Sequence, residues 1–119
     1  MIDKNPSRMI FNNIKISSNQ QINAFDIFLT SNAVILDVRT IHEFARTKIP
    51  DAKHLPLEDL NKQINLVKSW DAPIITYCSD GNKSREAAQI LKKHHIKAID
   101  GGSKTELIKL LRKKEVALN

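Results

Sequence analysis

The residues best equipped for covalent chemistry lie in one short run, Cys78-Ser79-Asp80-Gly81-Asn82-Lys83-Ser84, directly after the apolar stretch Ala72-Pro-Ile-Ile-Thr-Tyr77. Cys78 is the single cysteine of the chain, which excludes an internal disulfide, a Cys-x-x-Cys redox pair and a cysteine-rich zinc cluster. Any chemistry it performs is solo. The nucleophilic form of cysteine is the thiolate, and a thiol with a free pKa of about 8.5 moves toward that form beside a helix N-terminus or a cation such as Lys83. Gly81 and Asn82 tolerate positive φ, so a loop built on them can turn several backbone N–H groups inward as an anion cradle. Ser84 is placed to cap a helix that begins near Arg85, with Glu86 in its first turn, so that the positive end of the helix points at the cradle. Free cysteines are commonly small, inert core residues. The position of Cys78, at the end of an apolar strand and before a polar glycine-containing loop, argues instead for a nucleophile.

The elements that must hold this loop follow from the pattern of the rest of the chain. Compact apolar runs at Asn32-Ala-Val-Ile-Leu-Asp37, Lys53-His-Leu-Pro56, Ala72 to Tyr77 and Ile96-Lys-Ala-Ile-Asp100 are short and rich in β-branched or aliphatic residues, as buried strands are. Between them lie helical spacings: Ile22, Phe25 and Leu29; Leu57, Leu60, Ile64 and Val67; Ala87, Ala88, Ile90 and Leu91; Leu107, Leu110 and Leu111. Strand alternating with helix predicts an α/β domain with a mainly parallel central sheet and helices on both faces, because parallel neighbours need a crossover. Ligands of such sheets bind at the carboxyl ends of the strands, which is where Cys78 stands.

Size and charge narrow the classes further. A chain of 119 residues, 41% hydrophobic and 27% charged, is expected to fold as one globular domain over 1–119. It has no internal repeat and no Pro/Gly/Ser-rich linker. No apolar run approaches the roughly 20 residues of a membrane helix, and the first residues, Met1-Ile-Asp-Lys-Asn-Pro-Ser-Arg-Met-Ile-Phe-Asn-Asn13, are too polar for a signal peptide, so a cytoplasmic protein without a membrane partner is expected. The net charge of +6 is compatible with a nucleic acid, an anionic substrate or simple solubility. The basic stretches Lys92-Lys93 and Lys104 to Lys114 read as solvated helix faces, and without interleaved aromatic residues a nucleic-acid platform is not expected. Asp37, Arg39 and Glu43 read as a hydrogen-bonded ion network that ties their strand to the adjacent helix, a supporting rather than a catalytic role. His42, His54, His94 and His95 lack metal-ligand spacing, with His94 and His95 on opposite helix faces; surface or packing roles and no metal are expected.

The segment Ile75-Thr-Tyr-Cys-Ser-Asp-Gly-Asn-Lys-Ser-Arg-Glu-Ala-Ala-Gln-Ile-Leu-Lys-Lys93 resembles the active-site loop and following helix of the single-domain rhodanese-like, or thiosulfate sulfurtransferase, family. Val34-Ile-Leu-Asp-Val-Arg-Thr-Ile-His-Glu-Phe44 is similar to that family's strand ending in Asp-x-Arg with Glu-Phe following. Ile49-Pro-Asp-Ala-Lys-His-Leu-Pro-Leu57 is similar to its Ile-Pro-Gly-Ala segment, and Ile99-Asp-Gly-Gly102 to its strand and Gly-Gly turn. The likeness spans roughly residues 14–112. It implies a rhodanese-like domain and a sulfurtransferase in which Cys78 takes sulfane sulfur from thiosulfate or a similar small-molecule donor, holds it as a persulfide, and passes it to a thiol or cyanide acceptor. Residues 79–84 would bind the substrate through their N–H groups, and no cofactor is needed. A persulfide relay or protein-binding module, with an acceptor protein as its partner and little small-molecule turnover, is the alternative. Phosphatases and arsenate reductases of the same fold resemble Cys-x5-Arg, whereas here Lys83 follows Cys78 after four intervening positions; a shorter loop suits sulfur, and lysine lacks the bidentate geometry that suits phosphate. The chain departs from the family pattern at Thr47-Lys48, at Asp51 and in lacking a tryptophan after Gly-Gly. At Asp80, a carboxylate beside the cysteine is expected to repel an anionic donor.

Overall fold

Two capping boxes start the helices on either side of the first strand. Asn23 and Asp26 exchange side-chain and backbone hydrogen bonds at the head of α1 (Ala24–Thr30), and Thr40 and Glu43 do the same for α2 (Ile41–Thr47), satisfying N–H groups that a helix start leaves unpaired. Between them runs β1 (Val34–Asp37). The computed structural model describes residues 23–118, with side chains described through residue 114. The expected beginning of the core at residue 14 and the helical position of Ile22 lie outside the described residues. After α2 come β2 (Lys53–His54), α3 (Leu57–Leu60), a single 3-10 turn at Asn61–Gln63, α4 (Ile64–Ser69), β3 (Ile74–Cys78), α5 (Asn82–Lys93), β4 (Ala98–Ser103) and α6 (Lys104–Leu118).

The strands form one parallel sheet in the order β2-β1-β3-β4, each connection made through helix, as the alternation of periods predicts. β3 is central and buried along its whole length, which is why Ile74-Ile-Thr-Tyr-Cys78 reads as a near-continuous apolar run rather than an alternating one. Its residues still divide by face. Ile74 and Cys78 join Leu36, Val38 and Ala98 against Leu60, Ile64 and Val67 of α3 and α4 and Ala87, Ala88 and Leu91 of α5. Ile75 and Tyr77 pack on the other side with Leu107 and Leu111 of α6 and Phe25, Phe28 and Leu29 of α1. Helices thus cover both faces. Tyr77 and Cys78, adjacent in sequence, look in opposite directions.

The helical stretch over residues 57–67 and the last strand differ from the sequence-based expectation. The helical spacing of Leu57, Leu60, Ile64 and Val67 spans two short helices and a 3-10 turn instead of one helix; the last three are buried, so the period reported burial, not an unbroken hydrogen-bond ladder. The strand expected to end at Asp100 continues to Ser103, taking in the Gly-Gly pair expected as a turn. It pairs with β3 through an irregularity, Thr76 opposite Asp100 and then Cys78 opposite Ser103. Gly101 permits this: a Cβ there would stand 2.7 Å from the Thr76 carbonyl oxygen and 2.9 Å from Ile75 Cγ2, so only glycine lets the two strands approach so closely. Among the described residues no helix is long and apolar enough to cross a membrane.

Candidate active site

β3 carries Cys78 to the carboxyl edge of the sheet, and the chain there turns at once into α5. The turn is made by Gly81, whose φ of +92° is left-handed; a Cβ would have room, with its nearest neighbour at 3.6 Å, so the requirement for glycine is conformational, not steric. The result is a loop folded back over the sulfur. The Cys78 Sγ accepts N–H groups from Gly81 at 3.0 Å and from Ser84 at 3.3 Å. Both belong to the open first turn of α5, where N–H groups have no partner within the helix and the helix dipole places its positive end. Cys78 is 1% exposed, so the sulfur lies at the floor of this cradle.

The loop differs from the expected one in its details. α5 begins at Asn82, not near Arg85, with Gly81 as its N-cap and no side-chain capping bond. Asn82 is therefore helical, with Gly81 alone in the loop at positive φ. Ser84 is not a cap: it lies inside the first turn, buried, and its hydroxyl donates to Asp100 Oδ1 at 2.6 Å. Glu86 falls outside the first turn. The acidic group at the helix start is Asp80, whose Oδ1 accepts the Asn82 N–H at 2.9 Å; that bond holds its carboxyl below the ordinary value. The Cys78 thiol points to the same oxygen at 3.7 Å. Lys83 is exposed on α5, and the groups in contact with the sulfur are backbone amides rather than its ammonium.

Asp37, Arg39 and Glu43 divide into two sets instead of forming one network. The Arg39 guanidinium pairs with Asp37, Nη2 to Oδ2 at 2.7 Å and Nε to Oδ1 at 3.0 Å, with both side chains buried; this bond raises the guanidinium pKa above its ordinary value. Tyr77 completes the set from the next strand, its hydroxyl donating to Asp37 Oδ2 at 2.6 Å and accepting the Ile49 N–H at 3.0 Å. Burial, then the bond to Asp37, pushes the Tyr77 phenol up to about 12. The set therefore welds β1 to β3 and to the segment after α2. Glu43 stands apart: besides capping α2 it accepts the Ser79 hydroxyl at 2.5 Å, the first cause of its lowered pKa, and so tethers the cysteine loop to α2. His54 donates to the Arg39 carbonyl at 2.8 Å and stacks on Phe44. His94 and His95 follow the end of α5, not opposite faces of it.

Sequence reasoning passed over Tyr77, Thr76 and Asp100. A tyrosine in a fully buried strand must find a partner for its hydroxyl, which is a readable signal. An aspartate just before Gly-Gly is a weaker one, since nothing local says which way the irregular strand turns it.

With the cysteine cradle at the carboxyl end of the central strand in view, the Rhodanese-like domain model matches residues 25–105. The chain belongs to the rhodanese-like domain family. Among its relatives are the "Putative sulfur carrier protein YrkF" of Bacillus subtilis, 37% identical over 65 residues, which are 55% of this chain and 35% of that one, and the tRNA sulfurtransferase of Desulfurococcus amylolyticus, 34% identical over 70 residues, 59% of this chain and 14% of that one. The chain thus spans well under half the length of either relative. The solved rhodanese-related protein of Thermoplasma volcanium superposes with a TM-score of 0.61 at 25% identity, covering 76% of this chain and 91% of that one. The human single-domain sulfurtransferase TSTD1 shares the fold, with a TM-score of 0.56 at 22% identity and coverage of 69% and 87%.

Proposed function

We propose that this protein is a sulfurtransferase that carries sulfur as a persulfide on Cys78. The carrying observation is the pair of N–H groups, from Gly81 and Ser84, aimed at the Cys78 sulfur from a helix N-terminus. An inert core thiol has no use for two charge-stabilising donors, whereas a thiolate and a persulfide anion do. In the first half-reaction the Cys78 thiolate attacks the outer sulfur of thiosulfate; the S–S bond of the donor breaks, sulfite leaves with its electron pair, and Cys78 keeps the sulfur as Cys–S–S⁻. In the second, a thiolate or cyanide attacks that outer sulfur and the Cys78 thiolate leaves. Atoms and charge balance in both steps, and neither needs a cofactor. Lone-thiol chemistry of this kind suits a reducing compartment, in keeping with a cytoplasmic location.

Burial of the sulfur at 1% exposure favours a second reading of the same chemistry, a relay whose acceptor is a protein able to displace the loop. The names of the carrier and tRNA-sulfurtransferase relatives support it as well.

Intact mass after brief incubation with thiosulfate tests the first step. A gain of about 32 Da, one sulfur, that vanishes with a reducing thiol and is absent in Cys78→Ser is expected. No gain with thiosulfate, mercaptopyruvate or glutathione persulfide would sink the proposal. Turnover with small thiols alone supports the free-standing enzyme; transfer only to a protein thiol supports the relay.

A further inference from the structure

Ser84 is held through three of its groups. Its N–H donates to Cys78 Sγ at 3.3 Å, its carbonyl accepts the buried Thr76 hydroxyl at 2.7 Å, and its hydroxyl donates to Asp100 Oδ1 at 2.6 Å, the shortest of its contacts, with the Gly81 and Gly102 carbonyl oxygens at 3.1 and 3.3 Å. The same Asp100 oxygen accepts the Gly102 N–H at 2.8 Å, so the carboxylate is fixed by its own strand before it takes hold of the helix. Thr76, Cys78 and Asp100 share the face of the sheet that α5 covers, and the close approach at Gly101 brings β4 near enough for the contact. We propose that Asp100 is a positioning residue for the sulfur chemistry: through the Ser84 hydroxyl it aims the Ser84 N–H at Cys78 and so keeps the thiolate stabilised.

The amide cannot aim itself. It belongs to the first turn of α5, where an N–H has no carbonyl partner within the helix, and it follows a turn at Gly81, the residue type with the widest backbone freedom. Hydrogen-bond strength falls steeply with misalignment, so a small rotation of this turn weakens the donor at the sulfur. The sign of the effect separates this role from a simple charge effect. As a nearby negative charge Asp100 disfavours a thiolate, so its removal makes the thiol more acidic; as an aligning acceptor it favours the thiolate, so its removal makes the thiol less acidic.

This inference rests on the Cys78 thiolate of the proposed function, but its test reads the thiolate and not sulfur transfer. The pH dependence of alkylation by iodoacetamide is measured on the full chain and on Asp100→Ala, Asp100→Asn, Ser84→Ala and the double variant Ser84→Ala/Asp100→Ala. Asparagine keeps an acceptor oxygen. Expected are an alkaline displacement of the profile in Asp100→Ala and Ser84→Ala, with alkylation about three- to ten-fold slower at neutral pH, and a profile for Asp100→Asn nearer wild type than either. The double variant should be no slower than the worse single one, since both break one linkage. A displacement to lower pH in both Asp100 variants, or no displacement in Ser84→Ala, overturns the assignment. If Asp100→Ala fails to fold by circular dichroism, Asp100→Ser takes its place, with the same alkaline displacement expected and its absence overturning the assignment. Wild type that alkylates normally but takes up no sulfur would overturn the proposed function while leaving this outcome readable.

Discussion

Tyr77 and Cys78 are neighbours in the chain and opposites in their surroundings. Tyr77 ends in a set of side chains, Asp37 and Arg39, in which formal charges cancel and the phenol oxygen both donates and accepts. Cys78 ends against the backbone N–H groups of Gly81 and Ser84, and among the described residues no cation is bonded to it; under the proposed function these donors hold the charge of the thiolate and of the persulfide. One strand thus presents two kinds of polar environment. Side-chain ion pairing suits permanence, because its charges are fixed at neutral pH; amide donors suit a group whose charge and length change during a reaction cycle.

That contrast can be broken first on the Tyr77 side. Asp37→Ala leaves the Arg39 guanidinium buried without its carboxylate and should cost about 3 to 5 kcal/mol of stability by urea denaturation. Alkylation of Cys78 per folded molecule should hold within about two-fold, because the amide cradle belongs to the other face. A large loss of Cys78 reactivity in folded Asp37→Ala protein would show the two sides to be one unit. Tyr77→Phe sharpens the same point through pH. A phenol raised from 10.0 to about 12 in the folded state stays protonated there while the unfolded chain ionises. Its contribution is therefore complete below pH 10 and is lost as pH rises from about 10 to 12, by roughly 2 kcal/mol. The wild-type minus Tyr77→Phe stability difference should fall across that window, and a flat difference would contradict it.

The remaining predictions address the cysteine side, where the effects are smaller. Asp80 is exposed and lies 3.7 Å from the sulfur, so Asp80→Ser and Asp80→Lys should lower the KM for thiosulfate by about two- to five-fold, with the gain shrinking as salt is raised. An unchanged KM in both variants removes Asp80 from donor selection. Ser79→Ala should have the least effect: the Glu43 carboxyl, followed by NMR titration, loses the hydroxyl that does most to lower its pKa and should move up toward its ordinary value. Sulfur uptake should stay within about two-fold, since Ser79 donates no bond to Cys78.

The order of elements was legible because parallel sheets leave a plain signature, short β-branched runs separated by helical spacing. The placement of the candidate site was legible because Cys78 stands where one such run meets a glycine-containing loop. The ion pair of Asp37 and Arg39 lies within two residues, and its pairing could be anticipated from local sequence. Glu43 was assigned to the same cluster on proximity in sequence, yet the α2 start turns it toward Ser79, 36 positions away. Ser84 has the residue type of a cap and the position after a polar loop, but Gly81 starts the helix earlier through its left-handed φ.

Residue type and short spacing carried an α/β alternation, a single cysteine at a strand end, and a loop able to present amides. Tertiary structure alone decided which distant groups meet. Tyr77 reaches Asp37 across 40 positions because β1 and β3 pair in register, and Ser84 reaches Asp100 across 16 because α5 packs on β4, which the missing Cβ of Gly101 lets close on β3. Such contacts depend on how strands pair and how nearly they approach, and no local pattern of residues encodes either.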